Sequence, residues 1–271
     1  MKKLSFEETK NVELNILLDI ANYCEQNGLR YFLAYGTLIG AVRHQGFIPW
    51  DDDIDIQMPR DDYNLLIKHY NANKQNDHLH LISPFDPKSK HSFVKIIDTR
   101  TVKMEPNLSY SEGYLGIDID VFPLDGEPDS EKDFEKWYHS LHNIYYLFAL
   151  SMVDPKGNWK RRLSIPLIKF FSGGKIKLLN RAAKLHDRYP YNSSEYVGVV
   201  ESSYNFKGNR VLKSCYENYI MLDFAGYKLR APAGYDSILK ALYGDYMKLP
   251  PSDQQITHHT NITYWKDEQT I

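Results

Sequence analysis

The segment Trp50-Asp51-Asp52-Asp53-Ile54-Asp55-Ile56 crowds four carboxylates into five consecutive positions. From Asp53 to Met58 the acidic or polar positions alternate with Ile54, Ile56 and Met58, the two-residue period of a strand with one face in a core. Asp53 and Asp55 then share the other face, about 6.6 Å apart at ~3.3 Å per residue. Ions taken out of water cost several kcal/mol each unless paired, and like charges on one face repel. A hard divalent cation with oxygen ligands, typically magnesium, relieves both problems and also binds phosphate. Residues 115–122 repeat the device, with Asp118 and Asp120 alternating with Ile117, Ile119 and Val121. Adjacent acidic residues alone are more often a solvated loop. The interleaved aliphatic residues and the second acidic strand are what favour a metal site here.

Gly36-Thr37 adds a third part. It follows an aromatic and aliphatic run at 30–35 that suits a buried strand, and it precedes a short helix expected at 38–42. A glycine there lets backbone approach a ligand closely. Thr37 at a helix start offers a hydroxyl beside unpaired N–H groups, a ready anion site, although Gly-Thr is by itself most often an ordinary helix cap.

Those parts need elements to hold them. Val12, Ile16, Leu17, Ile20 and Ala21 recur at helical spacing, so 5–27 reads as an amphipathic helix stopped at Gly28. Pro59 ends the first acidic strand, and a helix is expected at 60–70. Further strands are expected at 79–83, 92–97 and 115–122, with Pro123 and Gly126 closing this half. Beyond about residue 128 the chain becomes mostly helical, with a break at 155–158. Short strands are expected at 196–202 and 220–224, and a last helix at 235–242. The expected organisation is a catalytic core over 1–128 and a mainly helical region over 129–271 that completes the site.

Composition sets outer bounds. Apolar residues at 42% and charged residues at 25% describe an ordinary globular protein, and a net charge of −2 argues against broad nucleic-acid binding. No apolar run approaches the ~20 residues needed to span a bilayer, and no signal peptide is expected after Met1-Lys2-Lys3. Cys24 and Cys215 read as reduced thiols of a cytoplasmic protein.

The residues from Tyr35 to Asp55, reading Tyr-Gly-Thr-Leu-Ile-Gly-Ala-Val-Arg-His-Gln-Gly-Phe-Ile-Pro-Trp-Asp-Asp-Asp-Ile-Asp, resemble the LicD family of phosphorylcholine transferases, to which fukutin-related protein is also similar. Phe93-Val94-Lys95, the block 116–125 and Leu242-Tyr243-Gly244-Asp245-Tyr246-Met247 followed by Leu249-Pro250-Pro251 fit the same family. The resemblance is dense over 30–63 and recurs to about residue 260. Gly36 and Asp53 stand further apart than in the simplest nucleotidyltransferases. It implies an α+β, nucleotidyltransferase-like mixed sheet flanked by helices. It also implies transfer of phosphocholine from CDP-choline to a hydroxyl of a cell-surface glycan precursor, such as a teichoic acid or lipopolysaccharide sugar, with a lipid-linked acceptor met at the inner membrane face.

On that basis Asp53, Asp55 and Asp120 are the expected catalytic carboxylates and ligands of Mg2+ or another divalent cation. Asp118 is the fallback for Asp120, and Asp51 is a further candidate. Gly36, Thr37, Arg43 and Lys95 are expected to hold donor phosphate, the arginine through its bidentate fork. His44 and the pair His258-His259 show no complete zinc-ligand spacing. A choline head group would call for aromatic walls. With 21 Tyr and 4 Trp the chain permits these, although Tyr145, Tyr146 and Trp159 read equally well as core. Polyol-phosphate or nucleotidyl transfer on the same scaffold, or a silent nucleotide-binding module, are the competing readings.

Overall fold

The helical stripe near the N-terminus has a built-in start. Ser5 Oγ accepts the Glu8 N–H at 3.2 Å while Glu8 Oε2 accepts the Ser5 N–H at 2.8 Å, a reciprocal cap that satisfies two otherwise orphaned donors. The computed structural model describes residues 1–104, 115–152, 166, 170, 173–200, 209–257 and 261–267. Its elements run β1 (Lys2–Lys3), α1 (Phe6–Gln26), β2 (Phe32–Leu33), α2 (Tyr35–His44), β3 (Asp55–Pro59), α3 (Arg60–Asn73), β4 (Leu79–Ile82), β5 (Val94–Asp98), β6 (Thr101–Met104) and β7 (Ile117–Glu127). There follow α4 (Glu131–Met152), α5 (Lys175–His186), β8 (Tyr196–Gly198), β9 (Val211–Leu212), β10 (Tyr219–Phe224), β11 (Tyr227–Pro232), α6 (Tyr235–Tyr243) and β12 (Ile262–Trp265). The break expected at 155–158, Trp159 and the pair His258-His259 lie outside the described residues, as does the end of the strand expected at 196–202.

The main sheet has seven strands. Its central path is β2-β3-β7-β5-β4, and β8 and β9 extend it from the far end of β7. β3 and β7 pair in parallel, and every other pairing in it is antiparallel. One face is apolar: Ile54, Ile56, Met58, Val94, Ile96, Ile117, Ile119 and Val121 belong to one core with Ile16, Leu17 and Ile20 of α1 and Leu66 of α3. α1 and α3 meet there through Tyr23 and Tyr70, whose ring centroids are 4.9 Å apart. Burying aliphatic side chains of this size is worth about 1.5–3 kcal/mol each, which fixes the register of the acidic strands. Because the side-chain period is two, Asp55, Lys95, Asp118 and Asp120 must then point to the opposite face. This is an α+β arrangement, a mixed sheet flanked by helices.

The chain beyond residue 128 does not stay apart from what precedes it. The hairpin β10–β11 packs on α2 and β2, and Phe224, Leu229, Ala231 and Leu239 join the same core as α1. β12 lies between β1 and β6 in a separate three-stranded sheet, with Thr263 opposite Lys103. α4 and α5 pack against each other. Among the described residues no helix is long and apolar enough to cross a membrane.

Two differences from the sequence expectation have local causes. β7 continues through Pro123 to Glu127. The missing N–H of Pro123 costs little there, because β5 has already ended opposite Val121 and β8 joins only at Asp125. β11 was not expected. It is reached through Ala225 and Gly226, both at positive φ (50° and 87°), the backbone sign of a tight hairpin turn.

Candidate active site

Asp55 begins β3 and stands directly opposite Asp120 in the parallel ladder. Lys95 on β5 stands opposite Asp120 from the other side. The ladder stops here, with the Asp120 N–H donating to the Ile54 carbonyl at 2.9 Å. Asp53 therefore lies in the lead-in to the strand, just outside the ladder on which the sequence pattern put it. Thr37 is buried, and its Oγ1 accepts the Asp55 N–H at 2.9 Å. Ala34, just before α2, donates its N–H to the Asp55 carbonyl at 3.0 Å. The Gly-Thr step thus clamps the first residue of β3 to the start of α2.

α2 begins at Tyr35, earlier than the sequence suggested, and no side chain caps it. Tyr35 takes φ 45°, a left-handed conformation costly for an aromatic residue, at the turn from β2 into α2. Gly36 leaves room for Asp51: a Cβ there would come within 2.4 Å of Asp51 Oδ2 and push that carboxylate aside. The Asp51 carboxylate therefore lies against the N-terminal turn of α2, where helix N–H groups favour negative charge.

The two aspartates of β7 are treated differently. Asp118 is 2% exposed, and its carboxylate meets Lys95 Nζ at 2.5 Å and Lys103 Nζ at 2.8 Å. Burial alone would raise its pKa, but Lys103 and Lys95 overcome that and hold it well below the usual carboxylate range. Asp120 shares Lys95, at 2.6 Å, and is nevertheless pushed up to about 7, chiefly by burial and then by the neighbouring Asp118. Asp55 is raised well above its ordinary value by burial and by the charges of Asp53, Asp120 and Asp51. Lys95, expected at donor phosphate, thus has its ammonium on two carboxylates. Arg43 donates from Nη1 to the Tyr246 carbonyl at 2.7 Å and from Nε to His44 Nε2 at 2.9 Å.

The electrostatics and the donor chemistry of Asp51, Asp53, Asp55 and Asp120 suit a hard divalent ion: oxygen ligands only, and mutual repulsion that a cation would relieve. Among the described residues, no three His, Cys, Asp or Glu side chains already converge as a metal cage. Beside Gly36 and Asp51 a cavity of about 500 Å³ opens toward the chain between Tyr243 and Pro251.

A family model described as the nucleotidyltransferase domain of LicD/FKTN/FKRP proteins matches residues 28–161. The lipopolysaccharide cholinephosphotransferase LicD of Haemophilus influenzae is 31% identical over 270 residues, covering 97% of this chain and 99% of that protein. The chain belongs to the LicD family. Its nucleotidyltransferase-like domain spans Gly36, Thr37, Arg43, Asp53, Asp55, Lys95 and Asp120. Shorter similarities lie to an uncharacterised Rickettsia typhi protein, 40% identical over 63 residues (23% of this chain, 20% of that one). Mannosyltransferase regulator 4 of Saccharomyces cerevisiae is 30% identical over 99 residues, 36% of this chain and 8% of that one.

Sequence reasoning alone missed Lys103 and Glu13 of this LicD-family enzyme. Lys103 sits on a short strand with no strong pattern, and only the sheet brings it to Asp118. Glu13 is a polar position within the α1 stripe, 1% exposed, with one carboxylate oxygen lacking a hydrogen-bond partner. Burial raises its pKa, with Lys103 opposing.

Proposed function

We propose that this LicD-family enzyme transfers phosphocholine from CDP-choline to a hydroxyl of a cell-surface glycan precursor, a lipopolysaccharide or teichoic acid sugar. The observation that carries this reading is the near end-to-end similarity to the Haemophilus influenzae cholinephosphotransferase. The carboxylate face around Asp55 and Asp120 supports it, because it gathers negative charge that its own lysines do not neutralise.

In this reaction an acceptor oxygen attacks the choline-bearing phosphorus in line with the bond to CMP. The new P–O bond forms, the bond to CMP breaks, and CMP leaves with the electron pair. The acceptor hydroxyl gives up its proton near Asp120, which stands opposite Asp55 in the parallel ladder. Asp53, Asp55 and Asp120 are the residues that would hold Mg2+ or another divalent ion, which when bound supplies positive charge to the donor pyrophosphate. Gly36 lets the N-terminal turn of α2 approach that pyrophosphate, while Thr37 holds Asp55 in place. Lys95 steadies Asp120 from β5, and Arg43 ties α2 to the segment carrying Tyr246. The region 129–271 completes the site through that segment. The enzyme works in the cytoplasm, at the inner membrane face when the acceptor is lipid-linked.

The test is to incubate the protein with CDP-choline, CDP-ribitol or nucleoside triphosphates, each with a glycan acceptor, with and without magnesium. Magnesium-dependent CMP release from CDP-choline is expected. Turnover of CDP-ribitol or a triphosphate in its place would assign polyol-phosphate or nucleotidyl transfer instead.

A further inference from the structure

The cavity beside the carboxylates has a lining whose chemistry is not explained by phosphate binding. One wall is Gly36 and Asp51, at the start of α2; the other comes from far along the chain, Tyr243 to Pro251. Trp50 and Tyr243 contribute rings to the lining, and Ile39 and Ile48 aliphatic surface. Its anions are Asp51 and Asp245. Of its cations, Arg43 donates to the Tyr246 carbonyl and to His44, and Lys248 is exposed. Tyr246 itself is buried and fixed, its hydroxyl donating to Asp236 at 2.9 Å. Tyr243, 47% exposed at the cavity wall, lies close enough to Asp55, Asp51 and Asp53 for their charges to help raise its phenol pKa.

A quaternary ammonium has no N–H to donate and is poorly served by oxygen ligands alone. It is bound by ring faces with negative charge nearby. We propose that this cavity takes the quaternary-ammonium end of the donor, with Trp50 and Tyr243 supplying ring faces and Asp51 and Asp245 the negative potential. This subsite rests on the phosphocholine reading. It puts the head group beside Asp51, one step from the aspartates that face the phosphates, and leaves the nucleoside to another part of the surface.

The experiment uses the full-length protein with magnesium and measures affinity calorimetrically for CDP-choline, CDP-ethanolamine and CDP, with CMP release as a second readout. Wild type is expected to prefer CDP-choline to CDP by about tenfold or more, the range of a desolvated cation–aromatic contact. Tyr243→Leu and Trp50→Leu are each expected to remove most of that preference while affinity for CDP stays within about twofold. Tyr243→Phe, which keeps the ring, is expected to retain most of it. Tyr243 is 47% exposed, so its replacement tests the contact without emptying the core, and Asp245→Asn, on the surface, is expected to lower the preference as well. Equal losses for CDP and CDP-choline, or an unchanged preference in all the variants, would overturn the subsite while leaving the phosphocholine reading intact. A wild type that ignores CDP-choline but binds CDP-ribitol or a triphosphate would overturn both.

Discussion

Asp118 and Asp120 sit two residues apart on one strand, point to the same face and share Lys95, yet they end in opposite electrostatic states. Asp118 is closed in by Lys95 and Lys103 and stays ionised. Asp120 lies among carboxylates with only a share of one lysine, and burial pushes its pKa up to about 7. The contrast separates charge that stabilises the fold from charge kept available for a ligand. A buried carboxylate with two lysines is complete. One that shares a single lysine and faces Asp55 is neutralised only in part by the chain's own cations.

The largest expected effect tests the available side of this contrast. Asp120→Asn and Asp53→Asn, assayed at saturating magnesium, are each expected to lower kcat by about 10³-fold while the protein remains folded. Near wild-type turnover in both would sink the assignment. Asp118→Asn should do the opposite, acting first on stability. It leaves Lys95 and Lys103 buried beside a group that no longer neutralises them, a loss on the order of 3–5 kcal/mol by urea unfolding. A loss below about 1 kcal/mol would mean that the pair is not the structural member of the two.

Smaller effects sharpen the boundary between the two roles. Thr37→Val removes the acceptor of the Asp55 N–H and is expected to cost about 1–2 kcal/mol, with kcat falling because Asp55 loses its anchor. If stability falls and kcat does not, the clamp serves only the fold. The smallest effect concerns pH. The Asp120 pKa rises from 3.8 to about 7 on folding, so between those values the folded protein keeps a proton that the unfolded chain has lost. Stability contributed at low pH is therefore lost as pH rises through that window. Measured without divalent ions at about pH 6 and about pH 7, wild type should lose on the order of 1 kcal/mol more than Asp120→Asn. An equal loss in both would place the titration elsewhere. Asp118 runs the other way: its lowered pKa adds stability above the ordinary carboxylate value, and that stability disappears in acid.

Much of this contrast could be read from the chain, and what could not has a common cause. The period of two in Asp53 to Met58 and in 115–122 is a local property, so both acidic strands were legible, as were α1 and the Gly36-Thr37 step. The partners of Asp118 were not. Lys95 reaches it only through the β5–β7 register and Lys103 only through β6, pairings that no local pattern encodes. For the same reason Lys95 read as a phosphate cation rather than as a carboxylate partner. The cavity wall at Tyr243 to Pro251 was visible as a family block but carried no role until folding set it against Trp50. β11 escaped because its turn is Ala225-Gly226, where alanine in place of asparagine or aspartate weakens the usual hairpin signal.

The pairing of β12 with β1 and β6 has a consequence for the order of assembly. Lys103 belongs to β6, and β6 is held on that side by residues 262–265. A growing polypeptide that has emerged only as far as α6 has already made the acidic strands, but not the strand that secures one of the two lysines beside Asp118. Closing that connection joins residues more than 150 positions apart and carries the entropic penalty of a long loop. Lys103, whose backbone N–H already donates to the Leu115 carbonyl at 2.8 Å, therefore gains its flanking strand β12 only once residues 262–265 have emerged.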